Sequence, residues 1–263
     1  MTKPHVREEQ SPEDIERYKI WYSALKLPER TLEQTLAEEV ALYFGQSIDQ
    51  VIDRWRAATE RLKKEWIEQN PQTEAEIVAY YNTNATYIYE LSYWHSLYMN
   101  PAAIENARSL QKALSLSGRS YLDFGGGIGS NIILFNRHGF DCTLADISSS
   151  LLKFAQWRFE RRQIRAKIID MKLETLPDNE YDFVTVVETL EHVEDPVQLM
   201  RTITAATKPG GVIVAWTPFY HDELRPMHIA TDLSLVEQFV SVLGLEEISR
   251  DDGMFIRYYR KPF

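Results

Sequence analysis

Along the first 118 positions apolar residues recur at helical spacing, and after Gly118 the rhythm changes to short apolar runs alternating with helices. Ser11-Pro12-Glu13 reads as an N-cap followed by proline at the first helical position. Thr31-x-x-Gln34 and Ser47-x-x-Gln50 have the capping-box spacing, in which hydroxyl and amide each satisfy an orphan backbone N–H. Ile48, Val51, Ile52, Trp55 and Ala58 then line one helical face, predicting a helix to about Glu68 that Asn70-Pro71 ends. Further helices are predicted from Thr86 to about Met99 and from Pro101 to about Leu116. Beyond Gly118, strands are predicted at 120–124, 141–145, 165–169, 182–187 and 211–216, with helices at 130–138, 148–162 and 195–207 between them. This alternation predicts a parallel sheet covered on both faces. A last helix at 232–243 leads to Leu245–Ser249, the turn Asp251-Asp252-Gly253 and Phe255–Arg260, which predicts a terminal antiparallel hairpin. The expected architecture is therefore α/β, with an all-α N-terminal cap over 1–118 and a sheet domain over 119–263.

Composition narrows the partners. The 263 residues carry a net charge of −10, with 44% hydrophobic and 26% charged positions. There are 13 basic against 18 acidic residues before position 119 and 16 against 21 after it, so neither half has the basic balance that nucleic acid requires. The cluster Arg158, Arg161, Arg162 and Arg165 has helical spacing and is expected to be a solvated helix face. One cysteine, Cys142, excludes a disulfide framework, and its place mid-strand makes it a poor nucleophile. No apolar run is long enough to span a membrane, and the opening MTKPHVREEQSPED lacks a signal-peptide pattern, so a cytoplasmic protein is expected.

The densest chemistry is Tyr121-Leu-Asp-Phe-Gly-Gly-Gly-Ile-Gly-Ser130, between a strand and a helix where ligands bind in open α/β sheets. Gly125, Gly126, Gly127 and Gly129 permit a tight turn and a close backbone approach. A dinucleotide fingerprint would put a third glycine where Ser130 stands. Asp123 beside the loop would repel a pyrophosphate but suit a sulfonium or ammonium group. Asp146 ends the second strand, where an acid can accept from both ribose hydroxyls, and Ile147 after it can pack on an adenine face. Asp170 ends the third strand, suited to an exocyclic amine, and Glu188 ends the fourth at the mouth of the same crevice.

Asp123-Phe-Gly-Gly-Gly-Ile-Gly129, Asp146, Val187-Glu-Thr-Leu-Glu-His-Val-Glu-Asp-Pro196 and Lys208-Pro-Gly-Gly211 together resemble the class I S-adenosylmethionine-dependent methyltransferases, ubiquinone/menaquinone-biosynthesis type, over about residues 119–263. The resemblance implies a seven-stranded Rossmann-like sheet and S-adenosyl-L-methionine as cofactor. It implies that Asp123 and the glycines line the methionine end, Asp146 the ribose, Ile147 and Met171 the adenine faces, and Asp170 its amine.

Methyl transfer is an in-line displacement that needs alignment, exclusion of water and, for a protonated nucleophile, a base. His192, His221, His228 and Glu191 are candidates for that base. No Asn/Asp-Pro-Pro-Tyr sequence follows the fourth strand, which argues against methylation of adenine or amide nitrogen. A small-molecule or a peptide- or carrier-bound acceptor is expected, and no metal. Residues 79–98 hold six tyrosines, one tryptophan and His95, with Tyr87, Glu90, Leu91, Trp94, His95 and Tyr98 on one helical stripe. This segment is expected to lid the crevice, Tyr80 or Tyr81 near the cofactor and the stripe toward the acceptor. Two other readings stand beside this one: a non-catalytic cofactor-binding subunit with a helical interaction module, and a nucleotide-dependent oxidoreductase.

Overall fold

The computed structural model describes residues 11–251 and 255–263. Helix α1, Pro12–Leu25, starts where the Ser11 side chain accepts from Asp14 N–H. Both anticipated capping boxes are formed, opening α2 (Leu32–Phe44) and α3 (Ile48–Gln69). Along α3 the buried face is Val51, Trp55, Ala58, Leu62 and Trp66, whereas Ile48 is 39% exposed. Helix α4, Glu74–Thr83, is an element the hydrophobic pattern did not reveal; only Ile77 and Tyr80 are buried on it. It too begins with a capping box, Thr73 with Glu76, and that signal stands in the sequence. Helices α5 (Thr86–Ser96) and α6 (Pro101–Leu114) complete the N-terminal half.

The sheet contains β1 (Ser120–Phe124), β2 (Asp141–Asp146), β3 (Ala166–Asp170), β4 (Tyr181–Val187), β5 (Thr207–Trp216), β6 (Glu246–Asp251) and β7 (Ile256–Arg260). Their order is β3-β2-β1-β4-β5-β7-β6. The first five are parallel, and β7 runs antiparallel between β5 and β6, as the predicted hairpin requires. Of its predicted turn, Asp252 and Gly253 lie outside the described residues. Strand β5 starts earlier than expected, so Pro209-Gly210-Gly211 lies inside it, at a register irregularity opposite Tyr181 and Phe183. Between the strands run α7 (Ser130–Asn136), α8 (Ser149–Arg162), α9 (Pro196–Ala206) and α10 (Leu235–Ser241).

The two faces of the sheet are covered differently. One face is packed by α9 and α10, with Met200, Ile203 and Phe239 against Val184, Ile213 and Tyr259. The other is packed by α7 and α8, with Tyr121 stacked on Phe135 at 3.7 Å between ring centroids. That core continues without a break into the N-terminal helices, through Trp21, Leu25, Leu36 and Val40. The two halves of the chain therefore share one apolar interior across position 118.

The arginine cluster corrects an expectation. Arg161 and Arg165 are exposed, but Arg158 is 0% exposed and the Arg162 side chain 2%. Both guanidiniums pair with Glu39 of α2, at 2.9 Å from Arg158 Nε and 2.6 Å from Arg162 Nε. A partner 119 residues away is invisible to helical periodicity, which is why the stripe reads as solvated.

Trp21 is wholly buried and donates from Nε1 to the carbonyl of His95 at 3.3 Å, tying α1 to α5. Trp21→Ala is expected to cost about 3–5 kcal/mol. The check is a lowered urea midpoint with the slope of the transition unchanged.

Candidate active site

The carboxyl ends of β1, β2 and β4 meet at the glycine loop. Gly125 has φ +69° and donates to Ala145 O at 2.8 Å; a side chain there would be strained, and its Cβ would lie 2.3 Å from Thr189 Oγ1. At Gly126 a Cβ would lie 2.2 Å from a carboxylate oxygen of Asp123, so this position has no room for one. Above Gly127 the nearest atom to such a carbon is Leu91 Cδ1, from the stripe of α5. Gly129 caps α7, and α8 packs directly beneath it through Phe159 and Ala155.

The acids at the strand ends are in distinct states. Asp123 is 2% exposed under the loop, accepting from Thr185 Oγ1 at 2.8 Å and Asn131 Nδ2 at 3.2 Å. Burial pushes its carboxyl up to about 6, against those hydrogen bonds. Asp146 accepts from Gly127 N–H at 3.0 Å and Ser148 N–H at 2.8 Å, so it fixes the loop to the end of β2. Each of its oxygens retains a second lone pair. Asp170 faces Lys172 Nζ at 2.6 Å; burial acts to raise it, but Lys172 prevails and holds it below the usual range. Ile147 and Met171 are half-buried beside these acids. Glu188 adopts φ +47°, and its carboxyl is raised by burial and by Glu90, with Arg225 opposing. It thus shares an electrostatic environment with the histidines described next.

Past β4, a 3₁₀ turn at Leu190–His192 and the segment around Met227 bring together Glu191, His192 and His228. One potential ligand atom from each lies within 4.8 Å of the others. His192 Nδ1 is 3.1 Å from Met227 O and 2.9 Å from Tyr81 Oη. A carbonyl only accepts, so this contact assigns the proton to Nδ1 and leaves the Nε2 lone pair free, 3.9 Å from Glu191 Oε1. Burial lowers His192 to about 4, and burial with His192 beside it lowers His228, so both rings are neutral. Glu191 is 0% exposed with neither carboxyl oxygen hydrogen-bonded; burial, then Glu188, hold it well above the usual range. These three groups could hold a divalent cation. The sequence suggested no such set, because His228 comes 36 positions after His192 and only the fold joins them. His221 is left exposed and outside this set.

The aromatic segment divides. Tyr80 is 1% exposed and donates to Leu62 O at 3.1 Å, a core role rather than one near a ligand. Tyr81 meets His192, and Asn82 Oδ1 accepts from Ser149 N–H at 3.1 Å, beside Asp146 and Asp170. On the stripe, Leu91 overlies Gly127 and His95 Nδ1 meets Ser130 Oγ at 2.9 Å, so these two face the glycine loop, not the histidines. Tyr98 is 72% exposed.

With this geometry in view, the family described as a methyltransferase domain matches residues 93–251. The chain belongs to that family. The matched segment runs from α5 through the parallel strands to the end of β6, so the glycine loop and the Glu191–His192 turn both lie inside the methyltransferase domain. A ubiquinone biosynthesis O-methyltransferase of Coxiella burnetii is 31% identical over 115 residues, 43% of this chain and 48% of that protein. Its counterpart in Bordetella avium is 34% identical over 116 residues, 43% and 47% of the two chains. A ubiquinone/menaquinone biosynthesis C-methyltransferase of Shewanella sediminis is 26% identical over 144 residues, 51% and 57%. The chain spans about half the length of the curated relatives it matches. A Haemonchus contortus phosphoethanolamine N-methyltransferase 2, solved with phosphomonomethylethanolamine and S-adenosylhomocysteine, superposes with a TM-score of 0.57 at 15% identity, over 74% of this chain and 61% of that one. That likeness concerns the fold alone. No helix among the described residues is long and apolar enough to cross a membrane.

The raised Asp123 carboxyl predicts a pH effect. The folded state holds its proton more tightly than the unfolded chain. Its favourable contribution is thus complete below about 3.8 and is lost as pH rises through about 6. Relative to Asp123→Asn, the wild type should lose up to about 3 kcal/mol of unfolding free energy across that window. Paired denaturant titrations at the two ends measure it, and a constant difference would contradict the assignment.

Proposed function

We propose that this chain transfers the methyl group of S-adenosyl-L-methionine to a small-molecule or a peptide- or carrier-bound acceptor, between the glycine loop and the Tyr81–His192–His228 cluster. The observation that supports this most directly is Asp146. At the end of β2 it holds Gly127 N–H while keeping lone pairs for a ribose. The bound cofactor would supply an electrophilic methyl on a sulfonium. Asp123, Gly125, Gly126, Gly127 and Gly129 would shape its methionine end, Asp146 the ribose, Ile147 and Met171 the adenine faces, with Asp170 toward the amine. Asp170 must then share its oxygens with Lys172. The helices of 1–118 act as the cap, with α4 and α5 as the lid.

On the acceptor side, Tyr81 and the Met227 carbonyl hold the His192 ring so that Nε2 can take the nucleophile's proton. The Glu191 carboxyl lies 3.9 Å from that nitrogen. His228 lies edge-on to His192, with ring centroids 4.8 Å apart. A second reading is favoured by the unpartnered Glu191 oxygens. A divalent cation on Glu191, His192 and His228 would activate an acceptor hydroxyl as a Lewis acid in place of the imidazole. His221, exposed as it is, is assigned no part in proton transfer.

Calorimetry with S-adenosylmethionine and S-adenosylhomocysteine tests the cofactor, with about tenfold weaker binding expected for Asp146→Ala. Binding of neither ligand would sink the proposal, and binding without turnover in a metabolite screen would favour a non-catalytic subunit. Once an acceptor is found, His192→Gln should lower kcat by about 10²–10⁴. Tyr81→Phe should lower kcat less, leaving cofactor affinity intact, and Trp94→Ala tests the stripe of α5 in the same assays. If neither affinity nor turnover changed in either, the lid would be wrong. Metal analysis and chelator treatment of the wild type separate the cation from the imidazole base.

A further inference from the structure

Ser130 closes the glycine loop, and its hydroxyl is held from two sides. From below, Arg158 Nη1 donates to Ser130 Oγ at 3.2 Å and to the carbonyl of Ile128 at 2.6 Å. Ile128 precedes α7, so its carbonyl lies outside that helix's own hydrogen-bond ladder. From above, His95 Nδ1 meets the same hydroxyl at 2.9 Å. A serine oxygen that accepts from a guanidinium can turn its own proton to a neutral imidazole, and burial keeps His95 neutral, lowering it to about 3. One turn before His95 on α5 stands Leu91, the residue over Gly127.

The other edge of the Arg158 guanidinium donates to Glu39, which Arg162 also holds; Arg162 Nη2 in turn donates to Leu25 O at the end of α1 at 2.8 Å. A continuous polar chain thus runs from α1 and α2, through α8, to the glycine loop and on to α5. The arginines differ in one respect. Arg158 touches the loop and Arg162 does not.

We propose that Arg158 is a positioning residue for the cofactor, clamping Ile128 and Ser130 of the glycine loop, and that Glu39 of the N-terminal half holds its charge in place, so that docking of the helical half sets the loop's binding geometry. This rests on the cofactor reading above. Lysine cannot replace Arg158, since one ammonium cannot serve Glu39 on one edge and Ile128 with Ser130 on the other.

The test is calorimetric affinity for S-adenosylhomocysteine, read beside the unfolding midpoint of each variant, at a temperature well below all midpoints. Arg158→Lys and Ser130→Ala should weaken binding about tenfold. Arg162→Gln, which loses a bond to the same Glu39 but none to the loop, should lower the midpoint and leave affinity within about twofold. Ser130→Ala removes only a hydroxyl, so it carries the test if Arg158→Lys does not fold. Affinity unchanged in the variants that fold, or weakened equally in Arg162→Gln, would overturn the proposal. A wild type that binds no S-adenosylhomocysteine fails at the cofactor reading instead, a result distinct from either.

Discussion

Arg158 is entirely buried, and a buried cation persists only if the protein supplies its counter-charge and its acceptors. Glu39 supplies the charge from a helix that precedes the sheet, and Ile128 and Ser130 supply acceptors from the glycine loop. Burial would raise Glu39, but two guanidiniums outweigh it and keep the carboxyl below its ordinary range. Breaking such a set from one side typically costs about 3–5 kcal/mol, a large part of a domain's net stability. The sheet and the helices before it are thus held by a charge that neither could bury alone, in addition to the apolar interior they share.

The site inherits its character from where the strands end. Parallel strands bring Asp123, Asp146 and Glu188 to one edge, and each is raised by burial, though to different partners. Asp146 spends its oxygens on the backbone N–H groups of Gly127 and Ser148, whereas Glu188 and Glu191 both feel the charge of Arg225. On one side lies a loop rich in glycine, approached by Leu91 and His95 of α5. On the other lie two neutral imidazoles and a carboxyl without hydrogen-bond partners. Helix α4 reaches the start of α8 through Asn82 and His192 through Tyr81, two consecutive residues.

Much of this was legible beforehand. The strands of 119–263, the terminal hairpin and three N-terminal caps follow from alternation, Asp-Gly and serine or threonine spacing, all of them local signals. Helix α4 escaped because only two of its residues are buried, so no apolar stripe announces it; its capping box at Thr73 and Glu76 was the available clue. The arginines of α8 have the spacing of a solvated face because periodicity reports spacing, not the identity of what lies opposite. Glu191, His192 and His228 gave no metal-like pattern because their proximity is created by the chain returning after β5.

The sequence by itself determined the kind of molecule: a doubly covered sheet, a glycine loop with an acid at its base, and acids closing successive strands. These depend on short-range geometry, on periods of two and of 3.6 and on the turns that glycine permits. Tertiary structure alone decided which charges are buried, which histidines meet, and that Leu91 and His95 belong to the loop while Tyr81 belongs to His192. Burial and long-range pairing depend on what a folded neighbour places opposite a residue, and a linear pattern carries no record of that neighbour.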